Sequence, residues 1–117
     1  MAITLGQRIR ELRERQDLSL RDFSKKLGGL SAAYLSDIEL GRRFPSEESL
    51  LKIAKVLGTP VDDLRKFDSR PPVDEFKRKA EAEPKYGFAL RRMVEKDISW
   101  EEIEKLIDEK TKRSGKE

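Results

Sequence analysis

Arg42-Arg43, the pair Arg21 and Lys25 four residues apart, and the doubled carboxylates Asp62-Asp63 and Glu101-Glu102 are the residues whose types and spacing could do chemistry. Paired carboxylates can serve as general acid and base. Here, however, each pair follows a helix-start signal, Pro60 or Ser99, where acidic side chains favour the helix dipole. No enzyme is expected from them. The chain has no histidine and no cysteine, which removes imidazole bases, thiolate nucleophiles, disulfides and the usual zinc or iron ligand sets. Carboxylate-only metal sites stay open, but no loop has the Asp/Gly spacing of a calcium site, so neither a metal nor another cofactor is expected. The cations ask for an anionic partner. Lys and Arg number 26 against 23 Asp and Glu, a net +3. Residues 1–70 hold 14 basic against 11 acidic side chains and residues 71–117 hold 12 of each, so the surplus lies in the first part, where nucleic acid is to be sought.

The elements that must position these side chains are short amphipathic helices. The chain is 42% charged and only 36% hydrophobic, a balance that suits a small core and a wet surface. At 117 residues it has room for about one ordinary domain. Thr4 with Gln7 has capping-box form, and Leu5, Ile9 and Leu12 carry a first helix to about Gln16. Ser19 with Asp22 opens a second, with Phe23 and Leu27 as its apolar pair, stopped at Gly28-Gly29. Ser31 caps a third helix holding Tyr34, Leu35 and Ile38 and ending at Gly41. Pro45-Ser46 opens a fourth through Leu50, Leu51, Ile53, Ala54 and Leu57, and Pro60 a short fifth with Val61 and Leu64. No stretch alternates as a strand, so the fold class is all-α.

The short helix from Ser19, the Gly-containing turn and the helix from Ser31 have the spacing of a helix-turn-helix. In such a pair the first helix rests on the DNA backbone and the second enters the major groove by its N-terminus. Arg21 and Lys25, one turn apart, can then straddle phosphates. Arg8, Arg10 and Arg15 interleave with Glu11 and Glu14 as a solvated face of i, i+3 and i, i+4 pairs. Tyr34 has two readings of equal standing: a ring that packs, or a hydroxyl that reaches phosphate.

Residues 5–64, and above all YLSDIELGRRFPSEESLLKIAKVLG at 34–58, resemble the lambda-repressor/Cro-type helix-turn-helix domains of the XRE class. The resemblance implies a five-helix domain that binds operator DNA, usually as a two-fold dimer. It places Ser31 as the cap of the recognition helix and Ala32 and Ala33 where base-reading polar side chains usually stand. Ser36 and Asp37 lie one turn on, and Arg42 and Arg43 in the loop that meets phosphate. Arg13 and Glu39 fall at the positions of a partly buried ion pair holding the first helix to the recognition helix, a structural role. Three features depart from the pattern. Gly28-Gly29-Leu30 is one residue longer than the usual turn; Leu20 replaces a common glutamine; and the two alanines can offer only apolar contact, as with a thymine methyl.

The expected organisation is a helix-turn-helix domain over 1–67 with its motif at about 19–39, a linker at 68–72 containing two prolines, and a helical segment over 73–117. In that segment Val73 to about Glu83 forms a charged helix broken by Pro84. Phe88, Ala89, Met93 and Val94 mark another to about Lys96. Ser99 with Glu102 caps a last one, followed by a polar, frayed end at Thr111–Glu117. Phe88, Met93, Trp100, Ile103, Leu106 and Ile107 form an apolar set that suits dimerisation or a partner protein. The expected function is a sequence-specific double-stranded DNA-binding transcriptional regulator, a repressor acting as a homodimer on an operator. The alternative is a protein–protein adaptor or antitoxin-like regulator whose C-terminal helices bind a partner. No apolar run approaches a membrane span and no secretory h-region opens the chain, so a cytoplasmic location without membrane contact is expected.

Overall fold

Hydroxyl side chains that accept a backbone N–H three residues on decide where most of the helices begin. The computed structural model describes residues 3–114. Thr4 Oγ1 accepts from Gln7 N–H at 3.1 Å while Gln7 Oε1 accepts from Thr4 N–H at 2.8 Å, closing a reciprocal box ahead of α1 (Leu5–Arg15). Ser19 accepts from Asp22 N–H at 3.0 Å before α2 (Leu20–Leu27), and Ser31 from Tyr34 N–H at 3.1 Å before α3 (Ala32–Glu39). Ser46 does the same for α4 (Glu47–Leu57), accepting from Ser49 N–H at 3.1 Å. The short α5 (Val61–Arg65) follows Pro60 without a side-chain cap. Prolines open the next two helices: α6 (Val73–Ala82) follows Pro72, and α7 (Pro84–Glu95) has Pro84 as its first residue, where a missing N–H costs nothing. Ser99, accepting from Glu102 N–H at 3.2 Å, precedes α8 (Trp100–Ser114). Among the described residues there is no strand, and the protein is all-α.

The end of α8 differs from the expected frayed tail. Thr111 to Ser114 are helical, continuing α8 through the good helix formers Lys112 and Arg113, and Thr111 Oγ1 donates to the Ile107 carbonyl at 2.9 Å. Residues 115–117 of that expectation lie outside the described residues.

The chain divides into two compact units, Met1–Arg70 and Pro71–Glu117. In the first, the apolar faces of α1 to α5 meet in one core. Ile9, Phe23, Ile53 and Leu64 have no accessible surface, with Leu35, Ile38 and Leu50 around them. Fully burying side chains of this kind stabilises by about 1.5–3 kcal/mol each. α1 comes very close to α3. A Cβ at Gly6 would lie 2.2 Å from the carbonyl oxygen of Ile38 and 2.7 Å from that of Glu39, so only glycine fits there. The same two helices are tied by Arg13 and Glu39, both buried. Arg13 Nε and Nη2 donate to the two carboxylate oxygens of Glu39 at 2.8 and 2.9 Å, and Nη1 donates to the Leu18 carbonyl at 2.7 Å. The Glu39 hydrogen bonds raise the guanidinium pKa above its ordinary value, against the burial that would lower it.

The second unit has a different interior. No side chain of α6, α7 or α8 is buried. Its best-covered apolar residues, among them Phe76, Tyr86, Met93 and Ile103, are only half-buried.

Candidate nucleic-acid interface

The turn between α2 and α3 needs two glycines for a geometric reason. Gly28 has φ +49° and ends α2 in the left-handed region, and Gly29 follows with φ +119°, a conformation that side-chain-bearing residues rarely adopt. Neither position is crowded, so backbone conformation selects glycine here. Ser24 Oγ donates to the Leu30 carbonyl at 2.6 Å and pins the longer turn to α2. Leu20, which stands where the resemblance expects glutamine, is half-buried and packs against the core.

Beyond the turn, the start of α3 is open to solvent. Ser31 and Ala33 are exposed and Ala32 is half-buried. No acidic residue sits in its first turn, so the partial positive charge of that helix end is not offset locally. Arg21 and Lys25 are exposed on α2. Ser36 and Asp37, one turn along α3, are half-buried. Asp37 is engaged by the following loop. Its carbonyl accepts from Arg42 N–H at 2.9 Å and its carboxylate lies 3.8 Å from Arg42 Nη1.

Tyr34 is half-buried and its ring packs against the core, while the guanidinium of Arg43 lies over that ring at 5.3 Å from the centroid. This stacking holds an exposed arginine beside the helix start with a contact worth about 0.5–1 kcal/mol. A second stack has no counterpart in the sequence reading: Arg70 lies over the Phe44 ring at 4.8 Å. Arg70 is also gripped by Asp68, whose two oxygens accept from Nε at 3.0 Å and Nη2 at 2.7 Å. That side-chain bond holds the Asp68 carboxyl below its ordinary range. Nothing local in sequence announces the Phe44 contact, because its partners lie 26 positions apart. On the other face of α1, Arg8 pairs with Glu11 at 3.0 Å, Arg10 with Glu14 at 2.7 Å, and Arg15 with Glu11. Exposed pairs of this sort contribute little.

In the second unit the structure does not bring the six apolar candidates together. Met93, Ile103, Leu106 and Ile107 line one open groove of about 1060 Å³, joined by Tyr86 and Ile98. Phe88 lies instead beside Ala80, Pro84 and Arg91, with Arg92 over its ring at 6.0 Å, and Trp100 is 68% exposed outside the groove. Four of the six thus line one groove and two stand outside it. Helical phase does not account for Trp100, which stands three residues before Ile103 and seven before Ile107 on the same side of α8; it is the first residue of that helix. Ile98 and Tyr86 could have been found. Ile98 precedes the cap and Ile103 is the fourth helical residue, the positions of a hydrophobic staple, and Tyr86 stands seven residues before Met93.

Residues 9–64 match the helix-turn-helix family. Over 60 residues the chain is 43% identical to the HTH-type transcriptional regulator DdrOP3 of Deinococcus deserti. That stretch covers 51% of this chain and 46% of that relative's length. Over 61 residues it is 38% identical to the ImmF control region 10 kDa protein of Bacillus phage phi105, covering 52% of this chain and 67% of the relative. A solved structure, the SinR protein/SinI protein complex, is similar over 96% of this chain and 99% of its own, at 25% identity and a TM-score of 0.51. No described helix is long and apolar enough to cross a membrane. Through its first unit the chain belongs to the XRE-type helix-turn-helix family, a family of non-enzymatic DNA-binding domains.

Proposed function

We propose that the protein is a cytoplasmic, sequence-specific double-stranded DNA-binding regulator of transcription, a repressor that acts as a homodimer over an operator. The observation that carries this reading is the solvent-open start of α3. It has no acidic side chain in its first turn and is accompanied in the same unit by the exposed cations Arg21, Lys25, Arg42 and Arg43. A helix end of this kind suits the major groove, and the arginines and lysines suit the phosphates on either side. Ser31 orders the first turn, and Ala32 and Ala33 offer methyl groups rather than hydrogen bonds. Sequence is then read through apolar contact and DNA shape more than through bidentate pairs, each of which is worth about 1–3 kcal/mol. Ser36 and Asp37 complete the contact one turn on. Arg43, braced on Tyr34, and Arg42, tied to Asp37, take phosphates. The helix-turn-helix domain, 1–67, supplies this surface and residues 68–72 link it to the C-terminal helices of 73–117. Those helices supply the dimer contact through Met93, Ile103, Leu106 and Ile107, and two-fold pairing sets two α3 helices one DNA turn apart, roughly 34–36 Å.

A second reading, in which the same groove takes a helical protein partner, is favoured by the likeness of both units to a chain of the SinR protein/SinI protein complex. It makes the protein an antitoxin-like regulator or adaptor rather than a stand-alone repressor.

Selection of binding sites from a random duplex pool, followed by titration at about 50 and about 200 mM salt, tests the first reading. The expected result is a two-fold-symmetric site and a loss of affinity of roughly 10³-fold or more across that range. Arg43→Ala is expected to weaken binding on every sequence and to lower the salt slope by about one. Ala33→Gln is expected to change the preferred bases. Absence of duplex binding at the lower salt overturns the reading and leaves the adaptor.

A further inference from the structure

The first unit contains a cleft of about 470 Å³ between the start of α1, the loop after α3 and the chain that follows α5. This is within the range of small-ligand sites, roughly 300–1,000 Å³. Its walls are mostly apolar: Ile3, Leu5, Ile38, Phe44, Pro45 and Phe67. Ile3 and Phe44 remain 40% and 47% exposed, among the exposed large apolar side chains of the unit. Gly41 lines the cleft without a side chain to fill it, and a Cβ there would meet nothing within 4 Å.

The polar groups of the lining are unequally occupied. Thr4 is spent on the α1 cap, and Asp68, the only carboxylate there, is held bidentately by Arg70. Lys66 has only a solvent-exposed partner, Asp63, at 3.6 Å. Among the described residues Arg43 has no carboxylate within 4.0 Å. An apolar hollow with its one acid neutralised and two cations at its edge is complementary to a molecule with an apolar body and a single negative head.

We infer that this cleft binds a small amphipathic monoanion, an alkyl or aryl carboxylate, with its body against Phe44 and Phe67 and its head between Arg43 and Lys66. The consequence for DNA rests on the function proposed above. A head group that recruits Arg43 takes it from phosphate, so the ligand weakens operator binding.

The test is a titration of the full chain with octanoate, followed by residue-resolved NMR, with octanol as the uncharged control. Saturable shifts at Ile3, Phe44 and Phe67 are expected, with a dissociation constant on the order of 0.1–1 mM for so small a ligand. Octanol, and octanoate against Lys66→Ala, are expected to bind at least about fivefold more weakly. Shifts confined to Ile103 and Leu106, or equal binding of octanol, overturn the proposal. So do shifts at Ile3 and Phe44 that follow protein concentration alone, which would make the cleft a contact between two copies. The DNA arm is scored separately. If octanoate binds and duplex affinity falls several-fold, both parts hold. If octanoate binds without changing duplex affinity, the link through Arg43 is wrong. If no duplex binds at all, the function proposed above fails while the cleft is still judged by its shifts.

Discussion

The two units are both built from short, charged helices, yet they use their apolar residues in opposite ways. Met1–Arg70 buries twelve apolar side chains among the described residues, Pro45 included, while the helices of Pro71–Glu117 bury none and leave Phe88, Val94, Trp100, Leu106 and Ile107 more than half exposed. The difference lies in spacing and closure rather than in composition. In the first unit five helices wrap one another, and a glycine and an ion pair allow α1 and α3 to meet without a gap. In the second, three helices offer an apolar stripe with nothing of their own to close it. A small unit that hides so little surface gains little from the hydrophobic effect. The first unit thus holds itself together, whereas the second has its apolar surface available for a partner.

The sharpest way to break this comparison is to put a methyl group where each unit brings two helices together. Gly6→Ala drives a Cβ into backbone carbonyls at 2.2 and 2.7 Å that cannot move without shifting α3. The expected cost is at least about 3 kcal/mol, enough to unfold much of the population of a marginally stable domain. Gly87→Ala meets only the Ala80 methyl, at 3.2 Å, in loosely packed helices, and gains about 1 kcal/mol of helix propensity. Its net change is expected within about 1 kcal/mol of zero. Chemical denaturation of the two variants decides it. Equal damage from both would mean that the second unit is packed as tightly as the first.

The ion pair gives the next largest effect. Glu39→Gln leaves the buried Arg13 guanidinium without its charge partner, at an expected cost of about 3–5 kcal/mol. Arg10→Ala removes an exposed pair with Glu14 on the same helix and is expected to change stability by less than about 1 kcal/mol. A smaller contrast separates the cores. Ile53→Ala, at a site with no accessible surface, is expected to cost about 2–5 kcal/mol at any protein concentration. Leu106→Ala, 64% exposed, is expected to change the stability of a lone chain by less than about 1 kcal/mol while weakening self-association seen by sedimentation. If Leu106→Ala leaves association unchanged, the groove is not the dimer contact.

What the sequence revealed follows the same division. Thr4, Ser19, Ser31, Ser46 and Ser99 cap helices through bonds that span three residues, so each start could be read from the chain alone. The five apolar faces of the first unit were legible because their periodicity coincides with their burial. Contacts across space were not legible. Gly6 sits in a helical pattern as an unremarkable residue until α3 is laid against it, and Arg70 over Phe44 depends on where α5 ends. That Phe88 and Trp100 stand outside the groove lined by Met93, Ile103, Leu106 and Ile107 could not be read from the chain, because apolar character does not specify direction on helices with no buried side chain. Within the candidate interface the residue types were readable, but the bracing of Arg43 on Tyr34 needed the loop's path.

The smallest effect lies at the last residues of the first unit. Arg70 holds the Asp68 carboxyl below its ordinary value of 3.8, so the folded state binds that proton less readily than the unfolded chain. The stabilisation from this pair is complete above about pH 4 and fades as the pH falls through the lower folded value. Asp68→Asn is therefore expected to be less stable than the parent by up to about 1 kcal/mol near pH 6, and the gap is expected to be smaller at about pH 3. Urea midpoints of both proteins at the two pH values measure it. No gap at either pH would assign the stabilisation to the Arg70 N–H bond, which asparagine's carbonyl oxygen can also accept, and not to charge. A gap that narrows in acid would show that the first unit's order is electrostatically pinned up to Arg70, immediately before the prolines where the second unit begins.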